Sequence, residues 1–213
     1  MVFTTCRIKI LVSLLLGKIS KLALLILDNY DSFTWNLVHY AEQFTEHVEV
    51  HRNDCITIEE VKRFDAILLS PGPGLPKDAG VMPELIATYH QSKPILGICL
   101  GMQAIAEFYG ASLYNLQTVM HGVASQATIL DPKAVLFHHL DSPLTIGHYH
   151  SWAVEKESLP AHLIATATNE HGILMGIRHQ KYPVSGLQFH PESVLTENGL
   201  QMIENWVNYW NKK

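Results

Sequence analysis

The sequence predicts a three-layer α/β domain: a mostly parallel central sheet with helices on both faces and antiparallel strands added to it. Three observations predict this. Through the first half, apolar runs of strand length alternate with helix-length amphipathic stretches, the pattern of a parallel sheet covered on both sides. In the second half, short β-branched or alternating stretches dominate until one last helical pattern. The chain of 213 residues and 24.0 kDa is 47% apolar and 16% charged. It can therefore bury a large core, and wholesale disorder is excluded.

Residues 1–20 are expected to be an extension ahead of the domain. Their apolar run 10–16 follows Arg7 and Lys9 in the outline of a signal peptide. The run is far shorter than the roughly 20 residues that cross a bilayer. No small-x-small cleavage site follows it, and Lys18 and Lys21 come at once. Residues 22–27 then read as a buried strand. Phe33, Leu37, Tyr40, Ala41 and Phe44 recur at helical spacing. Residues 48–51 and 66–69 read as strands, the second running into Ser70-Pro-Gly-Pro-Gly74, which no regular element tolerates. A helix over 81–90, a strand over 94–98 and a helix over 100–109 follow, with Gly110 as a C-terminal cap. Strands are expected at 123–130, 163–168, 173–177 and 184–189, and a helix at 200–210 packed across the sheet. No repeat, low-complexity tract or Gly/Ser linker divides residues 21–213, which read as one domain.

The net charge of −5 gives no general electrostatic case for nucleic acid, and no segment reads as a membrane span. Cys6, Cys55 and Cys99 cannot all pair, and no CxxC occurs. A reducing, cytoplasmic setting is the expectation. The 13 histidines include His138-His139 and His148-x-His150, but no HExxH or spaced Cys/His set supports a metal.

The chemistry concentrates in three segments. Gly97-Ile-Cys-Leu-Gly101 lies between an apolar strand and a helix. With Ser in place of Cys it would be the G-x-S-x-G elbow, a sharp turn that lifts a nucleophile above the sheet. The helix N-terminus behind it favours a thiolate and a developing oxyanion. Gln188-Phe-His-Pro-Glu192 singles out a base: in extended backbone His190 and Glu192 would point to one side, so that the carboxylate holds the imidazole tautomer. The Ser70–Gly74 loop would emerge at the same sheet edge, where open α/β sheets bind ligands. Asp28 and Asp31, beyond the first strand, are read as caps of their loop.

These segments resemble the class I, triad-type glutamine amidotransferases over essentially all of residues 21–211. Within that family the motifs are similar to the small subunits of anthranilate synthase and aminodeoxychorismate synthase. They are Leu27-Asp-Asn-Tyr-Asp-Ser-Phe-Thr-Trp-Asn36, Ser70–Gly74, Pro94-Ile-Leu-Gly-Ile-Cys-Leu-Gly101, Tyr149-His-Ser-Trp152 and Gln188-Phe-His-Pro-Glu-Ser193. The resemblance implies a flavodoxin-like domain that hydrolyses L-glutamine to glutamate and ammonia. It implies that Cys99 is the nucleophile, His190 the base and then the acid, and Glu192 its orienting carboxylate. It also implies a glutamine site at Gly72, Pro73, Gly74, Leu100, Gln103, Ser151 and Trp152, with the Leu100 and Gly72 N–H groups as the oxyanion hole. Ammonia would pass to a large chorismate-binding synthase subunit. This chain would carry no cofactor, and magnesium would belong to the partner.

Three positions depart from the family pattern: Met102 where His is common, Val123 where Lys is common, and His148 where Arg is frequent. The last two bear on partner contacts more than on hydrolysis. Two other readings stand beside the first. One is a catalytically silent subunit supporting a synthase that uses free ammonia. The other is an amidotransferase subunit of another pathway, which the Asp28–Thr34 segment disfavours.

Overall fold

The computed structural model describes residues 20–213, so the expectation on the N-terminal extension lies almost wholly outside the described residues. A nine-stranded sheet runs in the order β2-β1-β3-β4-β9-β8-β7-β5-β6. Its strands are β1 (Ser20–Asp28), β2 (Thr45–Arg52), β3 (Ala66–Leu69), β4 (Ile95–Ile98), β5 (Leu113–Ile129), β6 (Leu144–Val154), β7 (Leu163–Asn169), β8 (Leu174–His179) and β9 (Val184–Leu187). β2, β1, β3, β4 and β9 pair in parallel. From β9 onward every pairing is antiparallel. The mixed sheet predicted by the two halves of the sequence is therefore present, with β9 as the seam.

The alternation of side chains along each strand divides the core between two faces. Leu24 and Ile26 of β1 join Leu68 and Ile98 against α1 (Thr34–Ala41) and α5 (Gly199–Asn211), where Leu37, Met202 and Trp206 are buried. Leu25 and Leu27 join Ile67, Leu69 and Ile95 against α3 (Met82–Tyr89) and α4 (Leu100–Phe108). Two of the three aromatic residues of α5 thus serve packing: Trp206 is buried on the sheet and Trp210 is packed against the same cluster. Gly110 caps α4 with a φ of 99° and an N–H donated to the Glu107 carbonyl, as expected.

Three features differ from the sequence expectations. β5 is a 17-residue strand, much longer than 123–130. β6 has no counterpart among the expected strands, because its buried positions include His148 and His150 and break the apolar signature. α2 (Ile58–Val61) is too short to show a period; Thr57 and Glu60 close a capping box at its start. Among the described residues no helix is long and apolar enough to cross a membrane.

Candidate active site

Four neighbouring parallel strands release their following segments at one edge of the sheet, where doubly wound folds bind ligands. β1 ends in the Asp28 loop, β3 in Ser70–Gly74, β4 in Cys99 and β9 in Gln188. The register places Ile98 opposite Leu187, and the Cys99 N–H donates to the Leu187 carbonyl at 2.7 Å. Cys99 and the segment carrying His190 are therefore held by one strand pair.

Cys99 has φ 51° and ψ −102°, a conformation that L residues rarely adopt, and it stands directly before α4. The glycines around it have a steric reason. A Cβ on Gly97 would come within 2.4 Å of the Gly101 carbonyl carbon, and one on Gly101 within 2.6 Å of the Leu69 carbonyl oxygen. Both are backbone contacts that cannot swing aside. The first N–H groups of a helix lack intrahelical partners, so the start of α4 presents donors and a positive dipole end beside Cys99.

His190 and Glu192 are buried, and His190 Nδ1 lies 2.8 Å from Glu192 Oε1. The pair meets differently from the extended geometry expected. β9 ends at Leu187, and the Ser193 N–H donates to the His190 carbonyl, so a turn through Pro191 brings the carboxylate back onto the ring. His190 Nε2 is buried and faces the Cys99 sulfur, with no other hydrogen-bond partner. Burial alone would lower this imidazole; the Cys99 sulfur and then Glu192 outweigh it and raise it to about 10. The rings of Phe33 and Tyr149 pack on it, with centroids 5.6 and 5.0 Å away.

The remaining expected residues divide into two groups. A Cβ on Gly72 would touch Leu100 Cδ2 at 2.9 Å, so these two lie together beside Cys99. Gln103 is buried, and its Nε2 donates to the Trp152 carbonyl at 2.9 Å and to Gln188 Oε1 at 3.2 Å. Ser151 and Trp152 are half-buried in β6. Pro73 and Gly74, by contrast, form the exposed tip of their loop. Asn29 locks the base of that loop: its N–H donates to Ser70 Oγ and its Nδ2 to the Ser70 carbonyl, both at 2.9 Å. Asp28 Oδ1 accepts from the Tyr30 N–H and the Thr34 hydroxyl, and Asp31 Oδ1 from the Phe33 N–H, so both aspartates cap their loop.

Sequence reasoning singled out no role for Gln188, although it sits in the same motif as His190. It is fully buried, and its Nε2 donates to Cys99 Sγ at 3.6 Å. Only the folded network shows this. His148 and His150 are also inside, joined to each other at 3.0 Å and to the Trp152 carbonyl by His150 Nδ1 at 2.9 Å. Among the described residues no group of three or more metal-ligating side chains is placed to hold an ion.

The chain matches the family model for glutamine amidotransferase class-I over residues 25–209. It is 44% identical over 191 residues to anthranilate synthase component 2 of Cyanophora paradoxa, an alignment covering 88% of this chain and 100% of that relative. It is 40% identical over 192 residues to aminodeoxychorismate/anthranilate synthase component 2 of Bacillus subtilis, covering 89% and 98%. The solved structure of a GMP synthase protein from Thermoplasma acidophilum shares the fold, with a TM-score of 0.81 at 24% identity over 90% of this chain and 95% of that one. Because the family match runs from within β1 to within α5, through every segment that meets at Cys99, this chain belongs to the class-I glutamine amidotransferase family.

Proposed function

We propose that the chain hydrolyses L-glutamine and delivers the ammonia to a large chorismate-aminating synthase subunit, for anthranilate or aminodeoxychorismate formation. The observation that carries this is the buried Cys99 on a strained turn beside an imidazole held by a carboxylate 2.8 Å away. In this reading the Cys99 thiolate attacks the side-chain amide carbon, and the oxyanion forms against the Leu100 and Gly72 N–H groups. The tetrahedral adduct collapses as protonated His190 gives its proton to the leaving nitrogen, releasing ammonia and leaving a glutamyl thioester. His190 then takes a proton from water, the hydroxyl adds to the thioester carbon, and glutamate leaves as the thiol re-forms.

Position 72 requires glycine, since a Cβ there would meet the Asn29 carbonyl oxygen and Cβ, both at 2.6 Å, and Leu100 Cδ2 at 2.9 Å. Gln103, Ser151 and Trp152, with Pro73 and Gly74 at the loop tip, complete the glutamine site in this proposal. The chain uses no cofactor of its own, and magnesium belongs to the partner. The partner covers the segments flanking His190, where Tyr30, Trp35 and Val194 stand 49%, 60% and 98% exposed. Large apolar side chains so exposed beside a buried reactive centre suit a docking face.

The test uses the complex with the synthase subunit. Cys99→Ser is expected to abolish glutamine-dependent synthesis while leaving ammonia-dependent synthesis within about twofold, because the thiol serves only ammonia release. Loss of both activities in a folded complex would refute this division of labour.

A further inference from the structure

The hydrogen bonds behind Cys99 run in one direction. The Trp152 carbonyl can only accept, so the Gln103 amide must turn its nitrogen to it, as the 2.9 Å contact requires. That same nitrogen lies 3.2 Å from Gln188, which must therefore present its oxygen. The Gln188 nitrogen is left facing the Cys99 sulfur at 3.6 Å. The carbonyl at the far end is itself held: His150 donates to it from Nδ1, accepts from His148 Nδ1 at Nε2, and His148 Nε2 accepts from the Ser125 hydroxyl at 2.6 Å. No amide in this chain of bonds can flip without setting two acceptors or two donors against each other.

Resting on the reading of Cys99 as the nucleophile, we propose that Gln188 is a further catalytic residue. Its N–H stabilises the Cys99 thiolate, and Gln103 is the positioning residue that aims it. A thiol accepts this hydrogen bond weakly, whereas a thiolate accepts it as a charge-assisted bond in a water-poor setting. The donor thus favours the anion that attacks glutamine. His190, with Glu192 behind it, also interacts with Cys99, and these supply the proton transfer that an amide cannot. The neutral pair His148 and His150 stands behind Trp152 and faces the sulfur only through the chain of bonds.

The test reads the sulfur directly, without glutamine. The pH dependence of Cys99 alkylation by iodoacetamide is followed by mass spectrometry of the Cys99 peptide in the full chain, which separates it from Cys6 and Cys55. Gln188→Glu, close in shape but without the donor, and Gln188→Leu are each expected to move the alkylation midpoint up by about one pH unit. Gln103→Glu is expected to move it the same way, because a carboxylate there accepts from Gln188 and turns the Gln188 oxygen toward the sulfur. An unshifted midpoint in folded Gln188→Glu overturns the proposal. A shift in the Gln188 variants but none in Gln103→Glu overturns the positioning role. A glutamine-analogue electrophile separates this from the reading beneath it. Labelling of Cys99 with an unshifted midpoint refutes the role of Gln188 alone; a shifted midpoint without labelling refutes the glutaminase reading.

Discussion

Cys99 holds a backbone conformation that glycine would adopt at no steric cost. Cys99→Gly is therefore expected to unfold at higher urea than Cys99→Ala, by about 1 kcal/mol, the reverse of the usual order beside a helix. Equilibrium urea unfolding of the two variants checks it. A second prediction concerns protons. Burial pushes His148 and His150 each down to about 4 from an ordinary value of 6.5. The unfolded chain therefore takes up these protons at a pH where the folded chain still refuses them. Stability is full above about pH 6.5 and falls as pH drops toward 4, with a slope of up to about 2.7 kcal/mol per pH unit for two protons. His190 works in the opposite sense. Raised to about 10, it stabilises the fold below pH 6.5, and that contribution is lost as pH rises toward 10. Urea midpoints measured from pH 4.5 to 9 should peak near neutrality, and His148→Gln should roughly halve the acid-side slope. The residues at this scale were unevenly legible in the sequence. Cys99, His190 and Glu192 stood out because a nucleophile turn and a closely spaced acid–base pair have local spacing. Gln188 did not, because its meaning lies in two contacts, 85 and 89 residues away along the chain.

Among the elements, α4 packs against β3 closely enough to constrain the turn that carries Cys99. The Leu69 carbonyl and Cβ would meet a methyl group on residue 101 at 2.6 and 2.7 Å, and neither belongs to a flexible side chain. Gly101→Ala must push α4 away from the sheet. The expected cost is about 1–3 kcal/mol in stability, together with a fall in glutaminase activity of about tenfold or more, since Cys99 moves with the helix start. Thermal unfolding and steady-state glutamate release measure the two effects. Strands β1, β3 and β4 were readable because a strand buried on both faces is a continuous apolar run. β6 was not, because its interior positions carry imidazoles that are satisfied by each other and by Ser125 instead of by water. The turn at Pro191 was hidden for another reason: two residues at i and i+2 can share a side in a strand or meet across a bend, and spacing alone does not choose.

Across the whole molecule, the division into a parallel and an antiparallel half was legible from the change in pattern along the chain. The strand order was not, because it is decided by pairings between distant segments. β9 shows this most clearly. Among the described strands it is the last along the chain, yet it lies between β4 and β8, parallel to one and antiparallel to the other. Until it arrives, both of those strands present open edges to any passing segment of extended chain. A ribosome must therefore release most of the polypeptide before the sheet can close, and the sulfur of Cys99 waits for the same event. The final strand that heals the sheet also leads into His190, so in the proposed mechanism a chain whose sheet has not closed has no reactive centre with which to squander glutamine.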